Sequence, residues 1–195
     1  ERKGPFPVAE ALPILESILQ ALGHAHSRGV VHRDVKPANV LVDDEGRVAL
    51  TDFSIARAAS EAGMTRPGAM IGTPDYMAPE QFESLEVDGR TDLYAAGVIA
   101  YELLTGVHPF RADSTAAVMK AHLFKRAPAP SELVASLRAF DPVLARALEK
   151  DPDARYRTAE EFCKALLEAG GLDTEQKRLD EFLAAILQGR ISMDE

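Results

Sequence analysis

Residues 93–107 form an almost uninterrupted apolar run, and the rest of the fold has to be built around it. The run has about 15 residues with Glu102 among them, whereas a helix that crosses a bilayer needs about 20. A segment that is apolar nearly all round a helix has no polar face to turn toward solvent, so other elements must enclose it. The sequence therefore predicts a central buried helix over residues 91–105.

Amphipathic segments are available to enclose that helix. In residues 8–26, apolar side chains recur every three or four positions, which predicts an amphipathic helix. Because a proline disrupts a helix interior, either Pro13 falls in an early turn or the helix begins near Leu12. Thr158 and Glu161 have the spacing of a capping box at the start of a later helix. The further amphipathic helices are predicted at residues 114–124, 142–150, 158–168 and 173–188.

Short apolar runs at residues 30–31, 40–42 and 48–50 predict β-structure. Turn-forming residues at 43–46 separate the last two runs, so these two are expected to form a hairpin. Residues 54–79 follow no period and are interrupted by glycine and proline. A stretch of about 25 residues without secondary structure is unusual in a compact domain and is usually functional.

Composition excludes several classes of protein. The chain has 22 Lys and Arg against 31 Asp and Glu, a net charge of −9, which argues against a nucleic-acid partner because phosphate binding needs a basic face. One cysteine, Cys163, excludes an internal disulfide and fits a reducing compartment. We therefore expect a cytoplasmic protein with no membrane segment.

The chemically most versatile residues lie at positions 32–39, between two predicted strands. Asp34, Lys36 and Asn39 supply a base, a cation and a neutral metal ligand within six positions. Asp52 follows the third predicted strand, 18 residues after Asp34. A carboxylate and an amide oxygen suit Mg²⁺, which fills its remaining coordination positions with phosphate and water.

Any one of these motifs alone is common, but chance does not easily supply the whole ordered series. The series is His32–Asn39, then Asp52-Phe53, then Gly72–Glu80, then Arg90–Val98. With it, the chain resembles the eukaryotic-type Ser/Thr protein kinases, especially the bacterial ones, over about residues 5–169. The resemblance implies a mainly α fold with short β-hairpins, the C-terminal (large) lobe of a kinase, over residues 1–169. Residues 170–195 are expected to be a helical appendage.

The resemblance also implies a catalytic set and its cofactors, ATP and Mg²⁺. Asp34 matches the aspartate that accepts the proton of the substrate hydroxyl, and Lys36 matches the lysine that neutralises charge on the transferring phosphoryl group. Asn39 and Asp52 match the two metal ligands. Leu41 matches the strand beneath the adenine ring and completes the implied nucleotide site with Lys36, Asn39 and Asp52.

Other matching residues have structural roles in the family. Glu80 and Arg155 match a carboxylate and an arginine that pair and pin the long loop to the helical body. Asp92 matches the aspartate that anchors the backbone of the catalytic loop, although it also suits a plain helix N-terminal charge. His32 and Phe53 match members of a stacked hydrophobic spine.

The segment between residues 52 and 80 resembles an activation segment. Thr65 stands where related bacterial kinases carry a phosphothreonine, and a phosphate there could pair with Arg33. An ordinary threonine in a polar loop is the alternative. Thr73 matches the threonine that contacts the catalytic aspartate and lysine, so Lys36 and Thr73 together favour Ser/Thr over Tyr as the acceptor.

The chain departs from the family pattern in two places. Ser54 follows Phe53 where the family usually has glycine, so we expect reduced switching of this segment, because serine adopts positive φ less readily. No Gly-x-Gly occurs in the sequence, and Lys3 is the only lysine before the catalytic loop. We therefore expect the N-terminal lobe, with its ATP-holding lysine, to be absent.

Three functional hypotheses remain open. The first is the large lobe of an ATP-dependent Ser/Thr kinase acting on protein substrates, with negligible activity unless an N-terminal lobe is supplied in cis or in trans. The second is a pseudokinase-like binding module that exposes its apolar floor near Leu41. The third, a phosphatase-like metal site at Asp34 and Asp52, explains neither Lys36 nor the motif at residues 78–80.

Overall fold

The structure, a computed structural model, describes residues 4–43, 47–53, 74–83 and 86–172. Its helices are α1 (Val8–His26), α2 (Pro79–Phe82), α3 (Gly89–Thr105), α4 (Thr115–Phe124), α5 (Pro130–Leu133), α6 (Asp141–Ala147) and α7 (Ala159–Ala169). Its strands are β1 (Val40–Val42) and β2 (Val48–Leu50), and single turns of 3₁₀ helix cover Pro37–Asn39, Pro74–Tyr76 and Pro152–Ala154, with a longer one at Ala135–Phe140. The predicted mainly α fold with a short hairpin is confirmed. In these ranges no helix is both long and apolar enough to cross a bilayer.

Helix α3 is the centre of the lobe, as its sequence predicts. Of its 17 residues, 13 are buried. Helix α1 packs against both α3 and α7, and α6 packs against α3. The close approach of α6 requires glycine at Gly97, because a Cβ there would lie 3.0 Å from the Cβ of Ala147.

The β-structure is smaller than predicted. Strands β1 and β2 pair antiparallel, with Val40 opposite Leu50 and Val42 opposite Val48, so the predicted hairpin pairing is confirmed. The prediction at residues 30–31 is wrong, because neither residue lies in a strand. The N–H of Val30 donates to the carbonyl of Ala25, so this backbone closes the end of α1 instead of joining a sheet.

The predicted helix boundaries hold at most ends. Helix α1 has its predicted limits despite Pro13, and Thr158 caps α7 by accepting the N–H of Glu161 at 3.1 Å. The Glu161 carboxylate accepts from the N–H of Arg157, the residue before the cap, and not from that of Thr158, so the predicted capping box is not closed. Helix α6 ends three residues before the predicted limit, because Asp151 must be extended ahead of Pro152. The predicted helix at 173–188 lies outside the described residues.

A buried polar cluster joins α4 to α3 and to the loop that follows α3. His122 on α4 is fully buried; its Nδ1 lies 3.0 Å from the hydroxyl of Tyr94, and its ring packs 4.6 Å from that of Phe110. Lys150 also donates to the Tyr94 hydroxyl, at 3.3 Å. Burial, together with the nearby His108 and Lys150, lowers the pKa of His122 to about 3.

This buried histidine predicts acid sensitivity. The unfolded chain protonates His122 near pH 6.5 and the folded chain only near its lowered pKa of about 3, so the unfolded state binds more protons between these limits. Stability therefore falls as the pH falls through this window. We expect His122 to account for a loss of about 2 kcal/mol in the free energy of unfolding between pH 7 and pH 5.

Urea titrations of the wild type and of two variants at these two pH values test this expectation. His122→Gln should lose this part of the pH dependence whatever its absolute stability. His24→Gln, which alters an exposed histidine of α1, should keep it. An unchanged pH slope in His122→Gln would refute the assignment.

Candidate active site

The backbone of the loop at residues 32–39 is held by a single carboxylate. Asp92 lies in the first turn of α3 and is 1% exposed. Its Oδ2 accepts the N–H of His32 at 2.8 Å, and its Oδ1 accepts the N–H of Arg33 at 2.7 Å. His26, in the last turn of α1, places Nε2 2.7 Å from Oδ2 of Asp92 and donates to it, since a carboxylate only accepts. The expected anchoring contact is therefore present, with His26 as an additional partner.

Two residues of the site have a left-handed backbone that is unusual outside glycine. The φ angles are +67° at Arg33, directly before Asp34, and +65° at Asp52. Such a conformation costs about 1–2 kcal/mol for a residue with a Cβ, and it concentrates at functional sites. The surrounding hydrogen bonds must therefore offset this cost.

Asp34, Lys36 and Asn39 meet in one cluster. The Nζ of Lys36 lies 2.7 Å from Oδ2 of Asp34. The Nδ2 of Asn39 donates to the backbone carbonyl of Asp34 at 2.8 Å and to its Oδ2 at 3.1 Å. Because the amide nitrogen of Asn39 faces Asp34, its Oδ1 is the atom suited to ligating a cation.

A backbone hydrogen bond places Asp52, the second carboxylate, next to the cluster. The N–H of Thr51 donates to the carbonyl of Asn39 at 2.8 Å, and Asp52 is the next residue. His32, fully buried, donates from Nε2 to the carbonyl of Thr51 at 2.8 Å, and its ring lies 4.5 Å from the ring of Phe53. His32 therefore fastens the loop at residues 32–39 to the segment that carries Asp52.

The donor set suits Mg²⁺ and a phosphate-bearing ligand. Asp52 and Asn39 offer one carboxylate and one amide oxygen, and Lys36 offers a cation beside them. No group of three or more His, Cys, Asp or Glu able to hold a metal occurs among the described residues. One carboxylate and one amide oxygen leave coordination positions that phosphate and water can fill, as they do around Mg²⁺.

Behind the cluster, a buried ion pair fixes α2. Both Nη atoms of Arg155 donate to the two carboxylate oxygens of Glu80 at 2.8 Å, and the side chains are 0% and 3% exposed. The hydroxyl of Thr91 donates to the same carboxylate at 2.7 Å. Burial alone would raise the pKa of Glu80, but Arg155 and Thr91 outweigh it and hold that pKa below its usual value. The pair thus ties α2 to α3 and to the chain before α7.

Sequence reasoning missed two residues that support the loop, His26 through Asp92 and Gln81 directly. His26 is not distinguished by spacing from His24, which also lies in the last turn of α1. Gln81 follows Glu80, and its side chain donates to the carbonyl of Arg33. No sequence period marks either residue, because their partners are far away in the chain.

Leu41 lies at the open edge of the site, 56% exposed, and Val42 beside it is 52% exposed. Thr65, Thr73 and Ser54 lie outside the described residues, so the functions expected of them stay predictions. The same holds for the appendage beyond residue 172.

Comparison with known proteins gives a consistent result. The family model described as "Protein kinase domain" matches residues 1–168. The serine/threonine-protein kinase PknD of Mycobacterium tuberculosis is 44% identical over 168 residues, which cover 85% of this chain and 25% of that protein. The serine/threonine-protein kinase PknH of Mycobacterium bovis is 41% identical over 170 residues, covering 87% and 28%. The chain thus spans about a quarter of the length of these relatives.

Solved structures agree with the sequence matches. The crystal structure of the Mycobacterium tuberculosis PknI kinase domain superimposes with a TM-score of 0.66 at 33% sequence identity. The match covers 85% of this chain and 57% of that one.

Proposed function

This chain belongs to the protein kinase family, among the bacterial serine/threonine kinases, and we propose that it is the catalytic large lobe of an enzyme that transfers the γ-phosphoryl group of ATP to Ser and Thr hydroxyls of proteins. The observation that carries the proposal is the contact of Asp34 with both Lys36 and Asn39 on a backbone that Asp92 holds.

In the proposed reaction, the carboxylate of Asp34 accepts the proton of the attacking hydroxyl. The hydroxyl oxygen forms a bond to the γ-phosphorus, and the bond from that phosphorus to the β–γ bridging oxygen breaks. Lys36 neutralises charge on the equatorial oxygens, and Asn39 and Asp52 would hold the Mg²⁺ ion. When bound there, Mg²⁺ would offset the charge that develops on the leaving ADP.

The proposal extends to residues outside the described ranges. Thr65 would be phosphorylated and pair with Arg33, whose Nε is buried without a hydrogen-bond partner among the described residues. Thr73 would lie in the loop that receives the substrate peptide. The acidic composition and the single cysteine support a cytoplasmic location without nucleic-acid partners.

We expect the 195-residue chain alone to transfer negligible phosphate, because its sequence has no Gly-x-Gly loop to cover the nucleotide phosphates. A chimaera that joins the N-terminal lobe of a mycobacterial relative to residue 1 should phosphorylate a Ser/Thr protein substrate in the presence of Mg²⁺ and ATP. Phosphate on Thr65 in the same reaction is expected, and mass spectrometry can locate it.

Two outcomes would contradict these expectations. Phosphorylation by the purified chain without any added lobe would refute the predicted inactivity. A folded chimaera that binds ATP yet transfers no phosphate would refute the proposed function.

A pseudokinase-like binding module is the second candidate. The exposure of Leu41 and Val42 favours it, because exposed apolar strand residues promote association. Native size analysis that finds a stable complex of fixed stoichiometry, together with an inactive chimaera, would support this function instead.

A further inference from the structure

The peptide group that joins Arg33 to Asp34 is held at both of its polar atoms. Its carbonyl oxygen accepts from Nε2 of Gln81 at 2.9 Å, and its N–H donates to Nδ1 of His32 at 3.3 Å. The preceding N–H, that of Arg33, donates to Asp92. Hydrogen bonds therefore hold the peptide groups on both sides of the left-handed Arg33. The orientation of the peptide group between Arg33 and Asp34 determines the position of the Asp34 backbone.

Gln81 is well placed to hold that peptide. It lies on α2, and its Oε1 accepts the N–H of Ala78 at 2.9 Å, which caps the helix and fixes the side-chain amide. Its neighbour Glu80 is buried in the ion pair with Arg155, so α2 cannot shift without breaking that pair. The side-chain amide of Gln81 therefore binds the catalytic loop from a helix that is itself held in place, although Gln81 and Arg33 are 48 residues apart in the chain.

We propose that Gln81 is a positioning residue for Asp34, acting through the peptide group between Arg33 and Asp34. The hydrogen bond from Nε2 keeps this peptide in the orientation that the left-handed Arg33 requires and directs the carboxylate of Asp34 toward Lys36 and Asn39. The effect on catalysis rests on the proposed function, whereas the effect on the loop does not.

Gln81→Glu separates the two hydrogen bonds of this side chain. A glutamate still accepts the N–H of Ala78, so the cap of α2 is kept. It has no N–H to donate to the carbonyl of Arg33 and instead brings a carboxylate oxygen against it. When the pH is lowered, protonation of the glutamate restores a donor, so the contact should return.

The test measures amide signals of the ¹⁵N-labelled 195-residue chain by NMR, each variant against the wild type at the same pH. At pH 7, Gln81→Glu should shift the amide signal of Asp34 and speed its hydrogen exchange about tenfold, a magnitude typical of one lost hydrogen bond at a buried acceptor. Amides of α2 and α3 should keep their wild-type exchange rates. At pH 4, below the ordinary pKa of a glutamate, the Asp34 signal should return toward that of the wild type at the same pH.

The matched control is Gln20→Glu, which makes the same chemical change on the exposed face of α1. It should leave the Asp34 signal unchanged at both pH values. An Asp34 amide that is unaffected in Gln81→Glu, or a shift that does not recover at low pH, would overturn the proposal, since a merely structural role of Gln81 gives no recovery.

Assays of the chimaera then distinguish a failure of the positioning role of Gln81 from a failure of the proposed kinase function. If the wild-type chimaera is active, Gln81→Glu should lower kcat about tenfold at pH 7 with the KM for ATP unchanged. An equal kcat in both would overturn the positioning of Asp34. If the wild-type chimaera is inactive while the NMR response of the loop is as expected, the proposed function fails and the positioning role stands.

Discussion

Replacement of Arg155 by methionine is expected to lower the free energy of unfolding by about 3–5 kcal/mol, the largest loss of stability for a single substitution in this lobe. The Arg155 side chain is fully buried and donates to both carboxylate oxygens of Glu80. It also donates to three backbone carbonyls, those of Glu149, Lys150 and Arg90. Methionine fills much of the volume but leaves the Glu80 carboxylate buried without its counter-charge.

Urea denaturation at pH 7 measures this loss, and Arg157→Met provides the matched control. Arg157 lies two residues away and is exposed, so the same substitution there should change stability by no more than about 0.5 kcal/mol. Adding Glu80→Leu to Arg155→Met should recover part of the loss, because an apolar pair leaves no buried charge uncompensated. Equal effects of Arg155→Met and Arg157→Met would show that the ion pair does not support the lobe.

The second large effect is expected on catalysis. In the active chimaera, Asp34→Asn should lower kcat by about 10²–10⁴-fold, the range typical of losing a general base. Asparagine keeps the size of the side chain and still accepts a hydrogen bond from Lys36, but it cannot take up the proton of the substrate hydroxyl. The KM for ATP should change little, because Asp34 does not hold the nucleotide in the proposed mechanism.

Steady-state phosphorylation assays measure this effect, with Asp113→Asn as the control. Asp113 is exposed in the loop before α4, so removing its charge should leave kcat unchanged. An Asp34→Asn chimaera that retains a tenth or more of the wild-type kcat would rule out Asp34 as the base.

The fold was predictable where the pattern is local. The apolar stripe along residues 8–26 predicts α1, and the apolar run at residues 93–107 predicts α3, because only a buried helix can accommodate that run. The β1–β2 hairpin follows from two short apolar runs joined by turn residues. Residues 30–31 are a short apolar run like those of β1 and β2, yet they form no strand. The hydrogen bond from the N–H of Val30 to the end of α1 fixes their conformation, and the apolar pattern does not indicate that contact.

The site was predictable through its motifs but not through its supports. The order of the motifs in the sequence points to Asp34, Asn39 and Asp52. His26 and Gln81 escaped notice, because a histidine at the end of a helix and a glutamine on a helix are ordinary features. What makes them notable is the hydrogen bonds they form with residues 66 and 48 positions away.

The long reach of these contacts also determines when the loop acquires its shape during synthesis of the chain. Asp92 leaves the ribosome 58 residues after Asp34, which takes about 3–12 s at about 5–20 residues per second. Gln81 emerges 11 residues before Asp92, and until both have emerged the backbone of Arg33 lacks at least one of the hydrogen bonds that offset the cost of its left-handed conformation. The loop at residues 32–39 therefore becomes ordered well after it has emerged, because the residues that hold it belong to later parts of the chain.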